Sequence, residues 1–243
     1  MQIWVFSDLH LTNSESTLYQ AFLTALQAPS CPNDVVVFSG DIFDLLLGNS
    51  SYFRRRYLEF FEAVDRLVSS GVTVHYIEGN HDFHIRSLFS SGVKFHDEAV
   101  ELIDTSQSIA NKIYIAHGDL VDLADHKYLR LRRVLRQKWV QYSCSLIPGI
   151  ILQKIGDLTS RPLEQKALEA PDHWDSENLT RLRLVFRTFA KTKFESGYQF
   201  IVLGHCHDLD SVEPYYFNMG YPPIHGQYLF YDSKAPGFKR MSF

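Results

Sequence analysis

Five times along this chain, a short β-rich run ends at once in a loop of aspartate, asparagine or histidine. The loops are Asp8-Leu9-His10, Gly40-Asp41, Gly79-Asn80-His81-Asp82, His117-Gly118-Asp119 and Gly204-His205-Cys206-His207. In open α/β sheets, ligand-bearing residues gather at the carboxyl ends of the strands, so loops far apart in sequence can line one crevice. A fold that serves this pattern must carry parallel strands and point their ends the same way. The spacing within the loops agrees. Asp8 and His10 are two apart, as are His205 and His207, and in extended chain such pairs project to the same side while Leu9 and Cys206 point away. Glycine beside Asp41, Asn80, His117 and His205 permits tight turns and close backbone approach.

The runs between the loops fill in the architecture. Strands are expected at Gln2–Ser7, Asp34–Phe38 and Thr73–Ile77. Helices are expected over Ser14–Gln27, with Leu18, Phe22, Ala25 and Leu26 at helical spacing, and over Tyr52–Ser70, with Leu58, Phe61, Val64, Leu67 and Val68 on one face. Gly71 closes the second helix. Strand, helix, strand, helix, strand describes a layered α/β core. A short helix near Arg86–Ser90 and strands near Lys94–Phe95, Val100–Ile103, Lys112–Ala116, Gln199–Leu203, Ser211–Glu213, Gln227–Tyr231 and Lys239–Met241 complete the series. The strands are interrupted over Asp125–Ala190, which reads as mostly helical. The expected organisation is one domain over 1–243, with a helical insertion at about 122–195.

Composition restricts the setting. With 45% hydrophobic and 21% charged residues, the chain can bury a sizeable core. A net charge of −4 carries no overall basic bias, so no nucleic acid is expected as a partner. The three cysteines are too widely spaced for a disulfide framework or a CxxC metal site, which suits a reducing compartment. The first residues read as a strand and not as a signal peptide. No apolar run approaches the roughly 20 residues needed to span a bilayer. These features place the protein in the cytoplasm, free or on a membrane surface.

The loops supply oxygen and nitrogen donors without thiolate, which favours Mn²⁺, Fe²⁺ or Zn²⁺ over Ca²⁺ or Mg²⁺ alone. Asp8, His10, Asp41, Asn80, His117, His205 and His207 are too many for one tetrahedral ion and suit two ions that share a carboxylate. Two such ions can clamp the attacking and leaving oxygens of an in-line displacement at phosphorus. In these motifs and their order, the sequence resembles the calcineurin-like metallophosphoesterase superfamily over essentially its whole length. The resemblance implies a two-sheet β-sandwich flanked by helices. It also implies that Asp8, His10 and His207 bind one metal and Asn80, His117 and His205 the other, with Asp41 bridging. His81 would then stabilise or protonate the leaving oxygen, oriented by Asp82.

A narrower resemblance runs from His117-Gly-Asp through Asp125-His-Lys-Tyr128 to Arg132, and takes in Ile147-Pro148 and Ser160-Arg161. This stretch is similar to the UDP-2,3-diacylglucosamine pyrophosphohydrolases of lipid A biosynthesis. They cleave a lipid-linked nucleotide sugar to UMP and a sugar 1-phosphate, usually with Mn²⁺, beneath a helical lid. The resemblance implies substrate contacts from Asp125, Tyr128 and Arg132, and peripheral contact with the inner membrane. The chain departs from that family at His81, where Gly-Asn-Arg-Asp is common, at Leu46-Leu47-Gly48-Asn49, in place of Trp-Ile-Gly-Asp, and at Phe217–Tyr221. His81 instead matches the general superfamily form, which keeps open a phosphodiesterase or phosphatase acting on nucleotides or phosphoprotein.

Several other features have two readings. Lys127, Arg130, Arg132, Arg133, Arg136 and Lys138 suit a solvated helix face or a patch for diphosphate or anionic lipid. Trp139, Tyr142, Leu146, Ile147, Ile150, Ile151 and Leu152 suit core packing or an acyl groove. Asp44 suits a helix cap or a group behind the ligands.

Overall fold

The structure is a computed structural model, and it describes residues 1–48, 50–154 and 176–243. Two sheets form its centre. The first has six strands in the order β13-β12-β1-β2-β4-β6, with β1 at Gln2–Phe6, β2 at Val35–Ser39, β4 at Thr73–Ile77, β6 at Lys94–His96, β12 at Gln227–Asp232 and β13 at Phe238–Ser242. Strands β1, β2, β4 and β6 are parallel to one another, and β12 and β13 close one edge as antiparallel strands. The second sheet has five strands in the order β10-β11-β9-β8-β7, with β7 at Ala99–Asp104, β8 at Asn111–Ala116, β9 at Phe200–Leu203, β10 at Ser211–Val212 and β11 at Tyr216–Asn218. Here β8, β9 and β11 are parallel. A two-residue parallel pair, β3 (Leu46–Leu47) with β5 (Asp82–Phe83), ties the third ligand loop to the chain after the second.

The two-residue period of the strands sorts their side chains into three buried layers. Ile3, Val5, Val35, Val37 and Ile77 face Ile113, Ile115, Phe200, Val202 and Phe217, so the two sheets pack face to face. On the outside of the first sheet, Trp4, Phe6, Val36, Phe38, Val74 and Tyr76 meet helices α1 (Thr17–Ala25) and α3 (Leu58–Ser69). On the outside of the second, Tyr114, Ala116, Ile201, Leu203 and Tyr216 meet Phe186 and Ala190 of α6 (Ser176–Glu195). The result is a β-sandwich with helices on both faces. It explains why the central strands are apolar at nearly every position: both faces of each sheet are covered.

Some local expectations are corrected. The helix expected over Tyr52–Ser70 is two helices, α2 (Ser51–Arg56) and α3, broken at Tyr57 with φ −118° and ψ 39°. Tyr57 leaves helical geometry to bury its ring against Phe43 and donate its hydroxyl to the Leu11 carbonyl at 3.1 Å. The helix restarts in a new phase, which puts Leu58 outside at 48% exposure and turns Phe60 inward beside Phe61. Strand β11, which pairs with both β9 and β10, is not among the strands expected from the sequence.

Between β8 and β9 the chain forms α4 (His126–Leu135), α5 (Lys138–Leu146), a helical turn at 149–154 and α6. Asn49, named as a departure, and Ser160 and Arg161, named for their resemblance, lie outside the described residues, as do residues 155–175 of the expected insertion.

Candidate metal centre

All five ligand loops leave the carboxyl ends of parallel strands, three in the first sheet (β1, β2, β4) and two in the second (β8, β9). Backbone hydrogen bonds lace them together. Asp8 N donates to Gly40 O (3.1 Å), His10 N to Asp41 O (3.0 Å) and Gly204 N to His117 O (2.8 Å). Across the two sheets, His205 N donates to the Asp8 carboxylate Oδ1 at 2.9 Å.

The backbone in these loops is unusual. Asp8, His10, Asp41, His205 and His207 have φ of 55°, 43°, 54°, 68° and 54°. Left-handed conformations at non-glycine residues are uncommon and cost of order 1–3 kcal/mol each, so they persist only where the surroundings over-determine them. This corrects the expectation of extended chain at Asp8–His10 and His205–His207. The alternating left-handed turns still throw both polar side chains to one side. Leu9 and Cys206 point away and are buried in the helix-facing layers of the two sheets.

The side chains converge in two groups. Asp8, His10 and His207 bring donor atoms within 4.8 Å of one another, and so do Asp41, His117 and His205. Asn80 joins the second group, its Oδ1 lying 3.1 Å from His117 Nε2 and 3.1 Å from His205 Nδ1. Asp41 stands between the groups: its Oδ2 is 3.9 Å from His10 Nε2 and 3.4 Å from His117 Nε2. The seven residues singled out in the sequence as ligands therefore meet at one place.

The donor set fits cations. His117 Nδ1 donates to the Ser39 carbonyl (3.0 Å), which aims its Nε2 at Asn80 Oδ1 and Asp41 Oδ2. The two Nε2 atoms of His10 and His207 face each other at 3.1 Å. Ring nitrogens and oxygens gathered this closely suit a cation held between them. The ionisation of the side chains points the same way. Burial opposes charge on His117, but the Asp41 carboxylate outweighs it and carries the imidazole up to about 10. Burial holds His10 down to about 3 and His205 to about 4, so both present neutral nitrogens. Burial pushes Asp41 upward, yet the surrounding histidines, His117 foremost, hold it well below the usual carboxylate range.

His81 lies on the open side of the cluster. Its side chain is 27% exposed, against 6% for His10 and none for His117. Its ring meets that of His10 at 4.8 Å, and its Nδ1 donates to the Asp44 carbonyl at 2.8 Å. Burial works against its charge, but Asp41 and then Asp44 raise its pKa above the usual histidine value. The side chain of Asp82 has other partners than the His81 ring. Its carboxylate accepts Asp41 N (3.0 Å), Ile42 N (2.8 Å), Gly79 N (2.8 Å) and the Tyr76 hydroxyl (2.6 Å), and so pins two ligand loops from behind. The group that orients the His81 ring is Asp44, buried at 2% exposure and equally readable from sequence as a cap.

The residues singled out for substrate contact are less concentrated. Asp125 is exposed and caps α4, accepting the N–H of Tyr128 at 2.9 Å. Tyr128 and Arg132 both donate to Asp119 Oδ2, at 2.7 and 2.5 Å, and the Tyr128 ring lies 5.6 Å from that of His205. Beside them is a cavity of about 480 Å³ whose lining includes Glu78, Arg86, Asp97, Arg132, Arg136 and Lys138. Tyr221, named in the sequence only as the end of a departure, stacks on His207 at 4.5 Å and 20°, a role the sequence did not suggest. With 13 tyrosines in the chain, nothing local marks it.

Comparison with known proteins agrees with this geometry. Residues 1–209 match the calcineurin-like phosphoesterase family. The UDP-2,3-diacylglucosamine hydrolase of Vibrio atlanticus is 31% identical over 159 residues, 64% of this chain and 62% of that protein. The enzyme of that name from Vibrio vulnificus is 30% identical over 153 residues, covering 61% and 60%. The one from Aliivibrio fischeri is 26% identical over 216 residues, covering 87% and 83%. The matched region thus spans about three fifths of the first two relatives and more of the third.

Proposed function

Because the chain belongs to the calcineurin-like phosphoesterase family, we propose that it is a two-metal hydrolase of the diphosphate in UDP-2,3-diacylglucosamine, giving UMP and an acylated sugar 1-phosphate. The observation that carries the chemistry is the Asp41 carboxylate, whose Oδ2 stands between two histidine-containing groups drawn from both sheets. Asp8, His10 and His207 would hold one ion, Asn80, His117 and His205 the other, and Asp41 both. When bound, two divalent ions supply the charge that acidifies water and stabilises the oxygens at phosphorus. Mn²⁺ is the favoured ion, because the donors mix imidazole with carboxylate and amide oxygen; Fe²⁺ and Zn²⁺ suit the same set.

The chain's own groups do the rest. His81, turned by the Asp44 carbonyl through Nδ1, presents Nε2 on the open side, where it gives a proton or hydrogen bond to the leaving oxygen. Asp82 acts on catalysis through the backbone of Asp41 and Gly79. Asp125 starts the helix that carries Tyr128 and Arg132 to the rim. Arg132, Arg86 and Lys138 line a cavity beside the Asn80 loop that suits an anionic diphosphate.

Exposed Trp139, Tyr142, Leu146 and Ile150 follow directly on the basic α4. They support acyl-chain binding and peripheral contact with the cytoplasmic face of an inner membrane. No helix among the described residues is long and apolar enough to cross a membrane.

The test is to supply UDP-2,3-diacylglucosamine with Mn²⁺ and measure UMP. Turnover that disappears with Asp41→Asn supports the reading. His81, the general superfamily residue at its position, favours the rival, a phosphodiesterase or phosphatase acting on nucleotides or phosphoprotein. Activity on soluble diesters with none on the acylated substrate would establish that rival instead.

A further inference from the structure

Sheet hydrogen bonds are not all that hold the ligand loops. Arginines of the segment between β8 and β9 grip residues that flank three of them. On α6, Arg183 and Arg187 sit one turn apart and each closes a two-bond fork. Arg183 Nε and Nη2 donate to Asp208 Oδ2 and Oδ1, both at 2.7 Å. Arg187 does the same to Asp210, at 2.8 and 2.6 Å. At the C-terminal cap of α4, Arg136 pairs with the Glu78 carboxylate and donates to the carbonyls of Glu78 (3.0 Å) and Gly79 (2.8 Å), immediately before Asn80. Arg132 reaches Asp119, two residues after His117.

We propose that Arg136, Arg183 and Arg187 are positioning residues for the metal centre, so that the helical segment sets the ligand geometry as well as covering the site. This inference rests on the reading of the loops as metal-binding. The register of the two forks is its strongest support. Residues four apart on a helix lie on one face, and Asp208 and Asp210 meet that face with both carboxylates filled bidentately. Asp208 and Asp210 are 6% and 7% exposed and lie one and three residues after His207. His205 and His207 hold left-handed backbone that needs outside support.

The opposite side of the same stretch is clamped separately. Arg240 donates to the carbonyls of Asp210 (3.1 Å) and Asn218 (2.9 Å), and the Asn218 amide reaches Cys206 Sγ at 3.1 Å. Opening the α6 forks therefore releases one wall of the loop and leaves the other. The fold persists while His205 and His207 loosen.

The experiment is calorimetric titration of the metal-free chain with Mn²⁺. Arg183→Gln with Arg187→Gln is expected to weaken Mn²⁺ binding by about tenfold or more, the usual effect of losing a group behind a metal ligand. Hydrolysis at saturating Mn²⁺ should recover most of its kcat, and KM should change little. Exchanging the charges, Arg187→Asp with Asp210→Arg, should bind Mn²⁺ more tightly than Arg187→Asp alone. Should the glutamine pair fail to fold, Arg183→Lys with Arg187→Lys keeps both charges and loses only the forks; a smaller weakening is expected there. Wild-type affinity in whichever pair folds, with only KM for the acylated substrate raised, would show that the helices merely cover the site and overturn the inference. A wild-type chain that takes up no Mn²⁺ would overturn the two-metal reading itself.

Discussion

Asp82→Asn tests how the ligand loops are held. The carboxylate receives four hydrogen bonds: Asp41 N and Gly79 N on Oδ1, Ile42 N and the Tyr76 hydroxyl on Oδ2. An amide oxygen in the Oδ1 position keeps the first two bonds, though without charge assistance. The NH₂ group then stands where Oδ2 was. Tyr76 can rotate its hydroxyl to accept, but Ile42 N–H meets another donor and is orphaned in a site with no exposure. A buried donor left unsatisfied costs about 1–3 kcal/mol, and the weakened pair adds about 1 kcal/mol. The sum is about 2–4 kcal/mol. For a chain of this size each kcal/mol moves the melting temperature about 2–4 °C, so a fall of about 5–15 °C is expected.

Calorimetry of the metal-free protein at pH 8 is the right condition, because burial and then the Asp41 charge push the Asp82 carboxyl up to about 7. Asp41 has φ 54° and is fixed from behind by Asp82. Mn²⁺ affinity should therefore fall in the same variant. A melting temperature within 2 °C of wild type, or unchanged Mn²⁺ affinity with only the pH profile of kcat altered, would refute the argument and return Asp82 to a role at His81.

Three other perturbations separate causes that are easily confused. Gly79→Ala places a Cβ on the Asp41 carboxylate and backbone, whereas Gly226 has φ 60° and open space around it; Gly79→Ala should abolish Mn²⁺ binding, and Gly226→Ala should cost only about 1–2 kcal/mol in urea melts. Tyr221→Ala removes the ring stacked on His207 and should raise the Mn²⁺ dissociation constant about fivefold, from a contact worth about 1 kcal/mol, while Tyr221→Phe stays near wild type. His75 stacks on His96 with 2.8 Å between Nδ1 and Nε2, and burial, then His96 and Lys94, lower its pKa to about 4. The unfolded chain protonates this residue near 6.5 and the folded chain does not, so its stabilisation is present above that value and lost as pH falls toward 4. Between pH 7 and 5, wild type should lose about 1–2 kcal/mol more stability than His75→Gln; equal losses would remove His75 as the cause.

The near-continuous apolar runs of β1, β2, β4, β8 and β9 suit strands covered on both faces, and the residue types at their ends pointed to metal chemistry. Both are local properties: a strand has a period of two, and a metal selects its donors by atom type. Partnership is not local. Nothing around Tyr57 shows that its ring leaves the helix to reach Phe43, and nothing around Asp82 shows that its four donors come from Asp41, Ile42, Gly79 and Tyr76. The same holds for Tyr221 on His207, and for the arginines of α6 on Asp208 and Asp210. The sequence alone thus pointed to the layered α/β core and to the candidate ligands. Only the tertiary structure decided what stands behind each ligand, because side-chain partners are chosen by the packing of segments distant in the chain.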